Sequence, residues 1–312
     1  MKRILFILTV VLLQSSTSYG QQPINRVEPP NWWIGMQYNE VELMVYGQDI
    51  ASYSVSLDTY EGVTLKQIKQ VPNKNYLFID LKIDERSLPG NLTLRFTKNE
   101  TEPVIHSYPL LKRDPESKRV AGFNTSDAIY LITPDRFVNG DTGNDTVDGL
   151  KEKANRTFKG GRHGGDVQGI VNSLDYIKDL GFTAIWINPI LENDMQTYSY
   201  HGYSTTDFYK VDPRYGSNES FKSLCKEASD KGMKVIMDMI ANHCGLDHWW
   251  MQDLPSEDWI NQWPEYTETN HKKTVILDPY ASKIDYKQFF DGWFVPSMPD
   301  LNQRNESMAK YL

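Results

Sequence analysis

The sequence predicts an α/β chain in two parts, an all-β sandwich followed by a parallel βα series. Residues 21–118 carry short alternating apolar runs between turn signals, a pattern typical of antiparallel strands in an immunoglobulin-like sandwich. After residue 120 the period changes, and strand, helix, strand, helix and strand follow one another, which indicates a parallel sheet.

The first 20 residues predict a secretory signal peptide. Lys2 and Arg3 precede an apolar run at residues 4–13, and Ser18 and Gly20 occupy the small-residue positions before a cut. No cysteine directly follows the cut to carry a lipid anchor. We therefore expect export to a periplasm or to the outside of the cell, without a membrane anchor.

Composition narrows the range of partners. The net charge of −8 argues against nucleic acid, because phosphate binding needs clustered Lys and Arg. Five of the eight tryptophans fall within residues 249–293, which suits either an extended neutral ligand such as sugar or a core. The sequence has two cysteines, Cys225 and Cys244, and we expect them to be buried thiols rather than a disulfide.

The predicted sandwich strands occupy residues 41–46, 52–57, 76–83 and 91–96. Apolar and polar residues alternate in the first and last of them, which predicts strands that are buried on one face only. The polar, proline-containing residues 112–118 form the predicted linker.

The βα series has predicted strands at residues 128–132, 184–189 and 234–238, and predicted helices at residues 167–180 and 221–228. Gly181 follows the first helix, where a left-handed residue is favoured, and Ser217 or Asn218 caps the second. A closed barrel of this kind takes about 250 residues, but fewer than 200 follow position 120. Either the fold is unusually small or its barrel is incomplete.

Polar side chains follow the predicted strand at residues 234–238. Asp238, Asn242 and His243 stand at its carboxyl end, where α/β enzymes place their sites. From this stretch alone, it is equally possible that these side chains only form hydrogen bonds with the loop backbone and have no functional role.

The loop after the first βα strand is rich in oxygen ligands. Residues 139–145 hold four Asn or Asp side chains, and Gly140 and Gly143 permit tight turns, which suits a calcium ion. An Asn/Asp/Gly surface turn without a metal is the alternative.

Several segments are recognisable as a set. Residues 181–190 (GFTAIWINPI), 200–213 and 238–243 (DMIANH) resemble the early signature regions of the α-amylase superfamily, glycoside hydrolase family 13. Residues 298–302 (MPDLN) resemble the segment that marks its neopullulanase and cyclomaltodextrinase branch. Residues 31–36 are similar to part of the N-terminal module of that branch.

This resemblance implies an incomplete TIM (β/α)8 barrel preceded by the sandwich of residues 21–118. Residues 119–243 would form the first three barrel strands, residues 244–304 domain B, and residues 305–312 the start of the next helix. The family's nucleophile, its acid/base and its third aspartate lie on later strands. No catalytic residue is therefore expected in this chain, and all three are expected downstream of Leu312.

The resemblance also implies roles for side chains. Tyr203 would stack on a sugar ring, His201 and His243 would donate to sugar hydroxyls, and Asp238 and Asn242 would order the site. Without the resemblance, loop packing explains His201 better, and core packing explains Tyr203 equally well. The implied ligands of a structural calcium are Asn139, Asp141, Asn144, Asp145, the carbonyl of Gly164, and Asp166.

The tryptophans divide into two groups. Trp249 and Trp250 are candidates for a sugar platform. Trp259, Trp263 and Trp293 are expected to hold domain B together.

For a full-length parent, the resemblance implies hydrolysis with retention of α-1,4-glucosidic bonds in cyclodextrins, pullulan or maltooligosaccharides. The 312-residue chain alone is expected to be inactive. A noncatalytic glucan-binding or interaction protein on the same scaffold is the alternative, and transglycosylation is a third outcome of the same chemistry. A homodimer of the parent is left open.

Overall fold

The computed structural model describes residues 23–99, 101–113 and 122–312. The predicted signal peptide and most of the predicted linker lie outside these ranges. Within them, every helix is too short or too polar to cross a membrane.

In the described ranges up to residue 113, eight strands form the N-terminal sandwich. They are β1 (Arg26–Glu28), β2 (Trp32–Trp33), β3 (Glu40–Tyr46), β4 (Ser54–Leu57), β5 (Val63–Gln70), β6 (Tyr76–Ile83), β7 (Gly90–Thr97) and β8 (Val104–Leu111). One sheet has the order β1-β3-β6-β5 and the other the order β2-β8-β7-β4. All four predicted strands are present, whereas β5, an edge strand with polar residues on both faces, gave too weak an alternation to be predicted.

The central strand β3 corrects the prediction of a strand buried on one face, and its neighbour β6 is buried in the same way, whereas β7 alternates as predicted. The inner face of β3 and β6 packs in the sandwich core, which contains Leu43 and Leu77. Their outer face packs in a second cluster, where Met44 and Phe78 join Trp259 and other side chains of the C-terminal part. The sheet is therefore covered on both sides.

The second part begins with a parallel sheet in the order β13-β10-β9. Its strands and the small ribbon beside it are β9 (Ile129–Ile132), β10 (Ala184–Ile187), β11 (Leu191–Glu192), β12 (Asp207–Val211) and β13 (Lys234–Met237). The helices are α1 (Val167–Asn172), α2 (Leu174–Asp179), α3 (Asn218–Asp230), α4 (Lys283–Asp291) and α5 (Glu306–Tyr311). These elements form the first three strands of a (β/α) barrel, and residues 244–304, the segment expected as domain B, follow β13.

Local signals set the helix ends. The predicted single helix at residues 167–180 is broken at Ser173, whose hydroxyl donates to the Gly169 carbonyl at 2.8 Å. Gly181 has φ +91°, as its predicted terminal position requires. Ser217 caps α3 by accepting from the Ser220 N–H at 3.1 Å.

One face of the parallel sheet is exposed. Leu131 and Trp186 lie in register on neighbouring strands and are 60% and 40% exposed. On the other face, Ile185 and Ile187 pack against the helices.

Candidate functional site

The structure brings all five predicted site residues together at the carboxyl end of the parallel sheet. His201 and Tyr203 lie in the loop between β11 and β12. Asp238, Asn242 and His243 follow β13. Hydrogen bonds connect the two segments, so the parallel sheet places chemistry from distant parts of the sequence in one site.

Tyr203 is the centre of the site. Its hydroxyl donates to Asp238 Oδ2 at 3.1 Å, and its backbone N–H donates to His201 Nδ1 at 2.9 Å. Its carbonyl oxygen lies 3.0 Å from His243 Nε2. Because a carbonyl only accepts, Nε2 carries the proton of neutral His243, and Nδ1 of His201 is unprotonated.

Both nitrogens of His243 are engaged within the protein. Nε2 bonds the Tyr203 carbonyl, and Nδ1 lies 3.3 Å from Asn242 Nδ2. The imidazole also stacks on Phe294, with ring centroids 5.3 Å apart. The predicted donation by His243 to a sugar hydroxyl would therefore replace one of these contacts, whereas His201 keeps its protonated Nε2 as a donor.

Burial keeps both imidazoles neutral. Desolvation, with a contribution from nearby His243, lowers the pKa of His201 to about 4. Desolvation also lowers the pKa of His243, although the Tyr203 carbonyl opposes this. At neutral pH these groups act as fixed hydrogen-bonding partners.

Two further residues belong to the site. The Trp186 indole donates to Asp238 Oδ2 at 3.3 Å. Asp300, 3% exposed, accepts from Asn242 Nδ2 at 3.2 Å and from Asn261 Nδ2 at 2.7 Å. Burial raises the Asp300 pKa to about 7. Asp300 lies in the MPDLN segment, but no sequence pattern connected that segment to the end of β13.

Two clefts formed by the described residues adjoin the site, one at His201 and one at His243. The first, of about 480 Å³, is lined by His201, Tyr198, Met195 and other side chains. The second, of about 330 Å³, is lined by His243, Phe294 and other side chains. Two clefts at opposite histidines of one site suit an extended ligand.

A larger cleft, of about 580 Å³, lies between the sandwich and α5 and is lined by Trp33, Tyr209 and Lys310 among others. None of the predicted site residues lines this cleft. Although it is larger than the two clefts at the site, we therefore do not assign the site to it.

The tryptophan platform prediction was wrong for Trp250, which is fully buried beside Trp259. Trp249 is also engaged in packing, since its ring lies 5.0 Å from that of Tyr46 and 4.7 Å below the Arg26 guanidinium. These rings join the sandwich to domain B.

Of the three tryptophans expected to hold residues 244–304 together, Trp263 and Trp293 connect parts of that segment, whereas Trp259 also packs against Phe78 of the sandwich and Tyr311 of α5. The indole N–H groups of Trp263 and Trp293 donate to the carbonyls of Asp291 and Asn261, at 2.8 and 2.7 Å.

The two cysteines form no disulfide with each other. Cys244 is buried, as expected, and Cys225 is half-buried.

The oxygen-rich loop fits a cation in part. Asn139 Nδ2 donates to Asp145 Oδ1 at 2.6 Å, and a Cβ at Gly164 would collide with both side chains. Among the described residues, Oδ1 of Asn139 and Oδ1 of Asn144 are buried without a hydrogen-bond partner. Unpartnered amide oxygens beside a carboxylate and a carbonyl are the donors that calcium prefers.

The other two predicted ligands serve the loop itself. Asp166 caps α1 by accepting from Gly169 N–H at 2.7 Å and also accepts from Asp141 N–H at 2.8 Å. Asp141 Oδ1 accepts from Gly143 N–H at 2.9 Å. In the part of the chain that the structure describes, no group of three His, Cys, Asp or Glu side chains is placed to hold a metal ion, so a cation here would depend on amide and carbonyl oxygens.

The chain is similar to known protein families in both of its parts. Residues 131–312 match the family model of the α-amylase catalytic domain. The chain belongs to the α-amylase family. Residues 26–114 match the model of the cyclomaltodextrinase N-terminal domain. The order of the two matches places the chain in the neopullulanase and cyclomaltodextrinase-like branch.

Three relatives illustrate the similarity. The chain is 46% identical over 189 residues to a β/α-amylase of Paenibacillus polymyxa, covering 60% of this chain and 15% of the relative. It is 37% identical over 202 residues to a cyclomaltodextrinase of Thermoanaerobacter pseudethanolicus, covering 60% and 31%. It is 30% identical over 190 residues to neopullulanase 2 of Thermoactinomyces vulgaris, covering 59% and 30%. The chain thus spans at most about a third of the length of these relatives.

Proposed function

We propose that this chain provides the N-terminal domain and part of the substrate site of an α-glucan hydrolase. The full-length parent would cleave α-1,4-glucosidic bonds of cyclodextrins, pullulan or maltooligosaccharides with retention of configuration. Membership of a family whose similar proteins include a cyclomaltodextrinase and a neopullulanase supports the substrate class.

The observation that carries the proposal is the bonded set around Tyr203. The half-buried Tyr203 ring, a neutral imidazole donor at His201 and a carboxylate at Asp238 are hydrogen-bonded together, and clefts adjoin them at His201 and His243. This combination suits a neutral, hydroxyl-rich ligand, because it offers a flat surface and hydrogen-bonding groups without net charge clusters.

The catalytic step needs two carboxyl groups about 5–5.5 Å apart when configuration is retained. We propose that later barrel strands of the parent supply them. The residues described here would bind and orient the sugar.

We further propose that the loop of Asn139, Asn144, Asp145 and Gly164 holds a structural calcium ion. The unpartnered amide oxygens support this. Export through the segment at residues 1–20 and a homodimer of the parent remain predictions.

The test is hydrolysis by the parent carrying Tyr203→Ala or Tyr203→Phe. Wild-type parent should release reducing ends from cyclodextrin, pullulan or maltohexaose, and the products should keep the α configuration by NMR. Tyr203→Ala should abolish most of this activity, and Tyr203→Phe, which keeps the ring but loses the bond to Asp238, should retain more. The 92%-exposed Tyr280 gives a matched Tyr280→Ala control. A parent that binds maltohexaose but cleaves none of the three glucans would instead be a noncatalytic glucan-binding protein.

A further inference from the structure

Tyr198 has an unusual backbone conformation for a residue with a large side chain. Its φ of +59° is in the left-handed region, which bulky side chains rarely adopt. About half of its surface is nevertheless exposed, so burial of the ring does not offset the strain. Such strain concentrates at ligand-binding positions.

The backbone around Tyr198 is fixed by buried polar contacts. The next residue, Ser199, is fully buried. Its N–H donates to Glu152 Oε2 at 2.7 Å, and its hydroxyl accepts from Arg162 Nη1 at 3.2 Å. Glu152 and Arg162 are themselves buried. The loop is held rigidly before any ligand arrives.

The Tyr198 ring is oriented as well. Phe158 packs against it edge to face, with centroids 5.7 Å apart. Gly160 lies beneath both rings, and a Cβ at this position would collide with each of them. The remaining ring surface lies at the rim of the cleft that His201 lines.

The floor of that cleft is apolar. Met195 and Met298 line it and are 9% and 7% exposed. A sugar ring has an apolar C–H face and a rim of hydroxyls, so it suits an aromatic ring, a thioether floor and an imidazole donor in one cleft.

We propose that Tyr198 forms an additional glucose-binding subsite, adjacent to the one around Tyr203, and so determines how long a glucan the site favours. This inference rests on the proposed function. Nothing in the catalytic chemistry requires Tyr198, so its effect should depend on ligand length.

The experiment measures maltose and maltohexaose binding to the 312-residue chain by calorimetry. Tyr198→Ala should weaken maltohexaose binding about tenfold, since one ring–sugar contact is lost, and leave maltose binding unchanged. Tyr198→Phe should bind both like wild type. Gly160→Ala, which displaces the ring without removing it, should weaken maltohexaose binding only.

One control and two outcomes separate the possible failures. Tyr280→Ala removes an exposed tyrosine outside both flanking clefts and should change neither affinity. If wild type binds both sugars and Tyr198→Ala weakens neither, or weakens both equally, the subsite is refuted while the proposed function stands. If wild type binds neither sugar, the proposal that this chain provides part of the substrate site fails, and the subsite fails with it.

Discussion

The contact between the sandwich and domain B makes a specific prediction about Phe78. Its side chain is 1% exposed, on the outer face of β6, and its ring lies 5.8 Å from that of Trp259. Phe78→Ala should therefore destabilise the whole chain by about 3–5 kcal/mol, the usual cost of emptying a buried phenylalanine site.

The isolated sandwich, residues 23–113, should respond differently. There the outer face of β6 is in water, and Phe78→Ala should cost about 1 kcal/mol or less, within the range of strand propensities. Phe96→Ala is the control, because Phe96 is fully buried inside the sandwich and should cost the same in both settings.

Urea unfolding of the chain and of the sandwich, each with and without the substitutions, measures these differences. The sandwich alone should still unfold cooperatively, as the sequence predicts. Equal losses for Phe78→Ala in both settings would refute the argument that this face is stabilised by domain B. A noncooperative melt of the sandwich would instead refute the domain boundary.

Three more predictions follow from the site and the loop. Chelation should lower the melting temperature of the full-length parent, because a ligand held only by the folded state stabilises that state. Asn144→Ala should remove this shift in melting temperature, whereas Asp148→Ala, at an exposed position, should keep it. No shift on chelation, together with no metal by elemental analysis, would contradict the calcium site. The 312-residue chain should release no glucose or maltose from cyclodextrin, because binding alone does not raise turnover; release above a buffer control would show catalytic carboxylates within the chain. Since burial lowers the pKa of His201 from 6.5 to about 4, the unfolded chain binds a proton in this window that the folded chain does not, so stability should fall as pH falls from 6.5 to about 4. His201→Gln should flatten that part of the pH–stability curve, whereas His271→Gln, at an exposed position, should leave it unchanged; an unchanged slope in His201→Gln would mean that His201 is not protected from protonation.

Sequence alone determined the elements whose signals are local. Gly181 and Ser217 mark helix ends through their own backbone and side-chain chemistry, and the structure confirms both. The parallel sheet followed from the alternation of strand and helix. The five site residues were found because strand ends and family motifs are both visible in the chain.

Tertiary structure decided what depends on partners distant in sequence. Burial of β3 and β6 on both faces depends on Trp250 and Trp259, about 170–220 residues away, which no strand pattern can show. Because the same packing buries Trp250, this side chain offers no surface to a sugar. Asp300 joined the site for a similar reason, because its amide partners Asn242 and Asn261 meet it only in the folded chain. Local signals fix where elements begin and end, whereas burial and hydrogen bonding are set by whatever the fold brings alongside them.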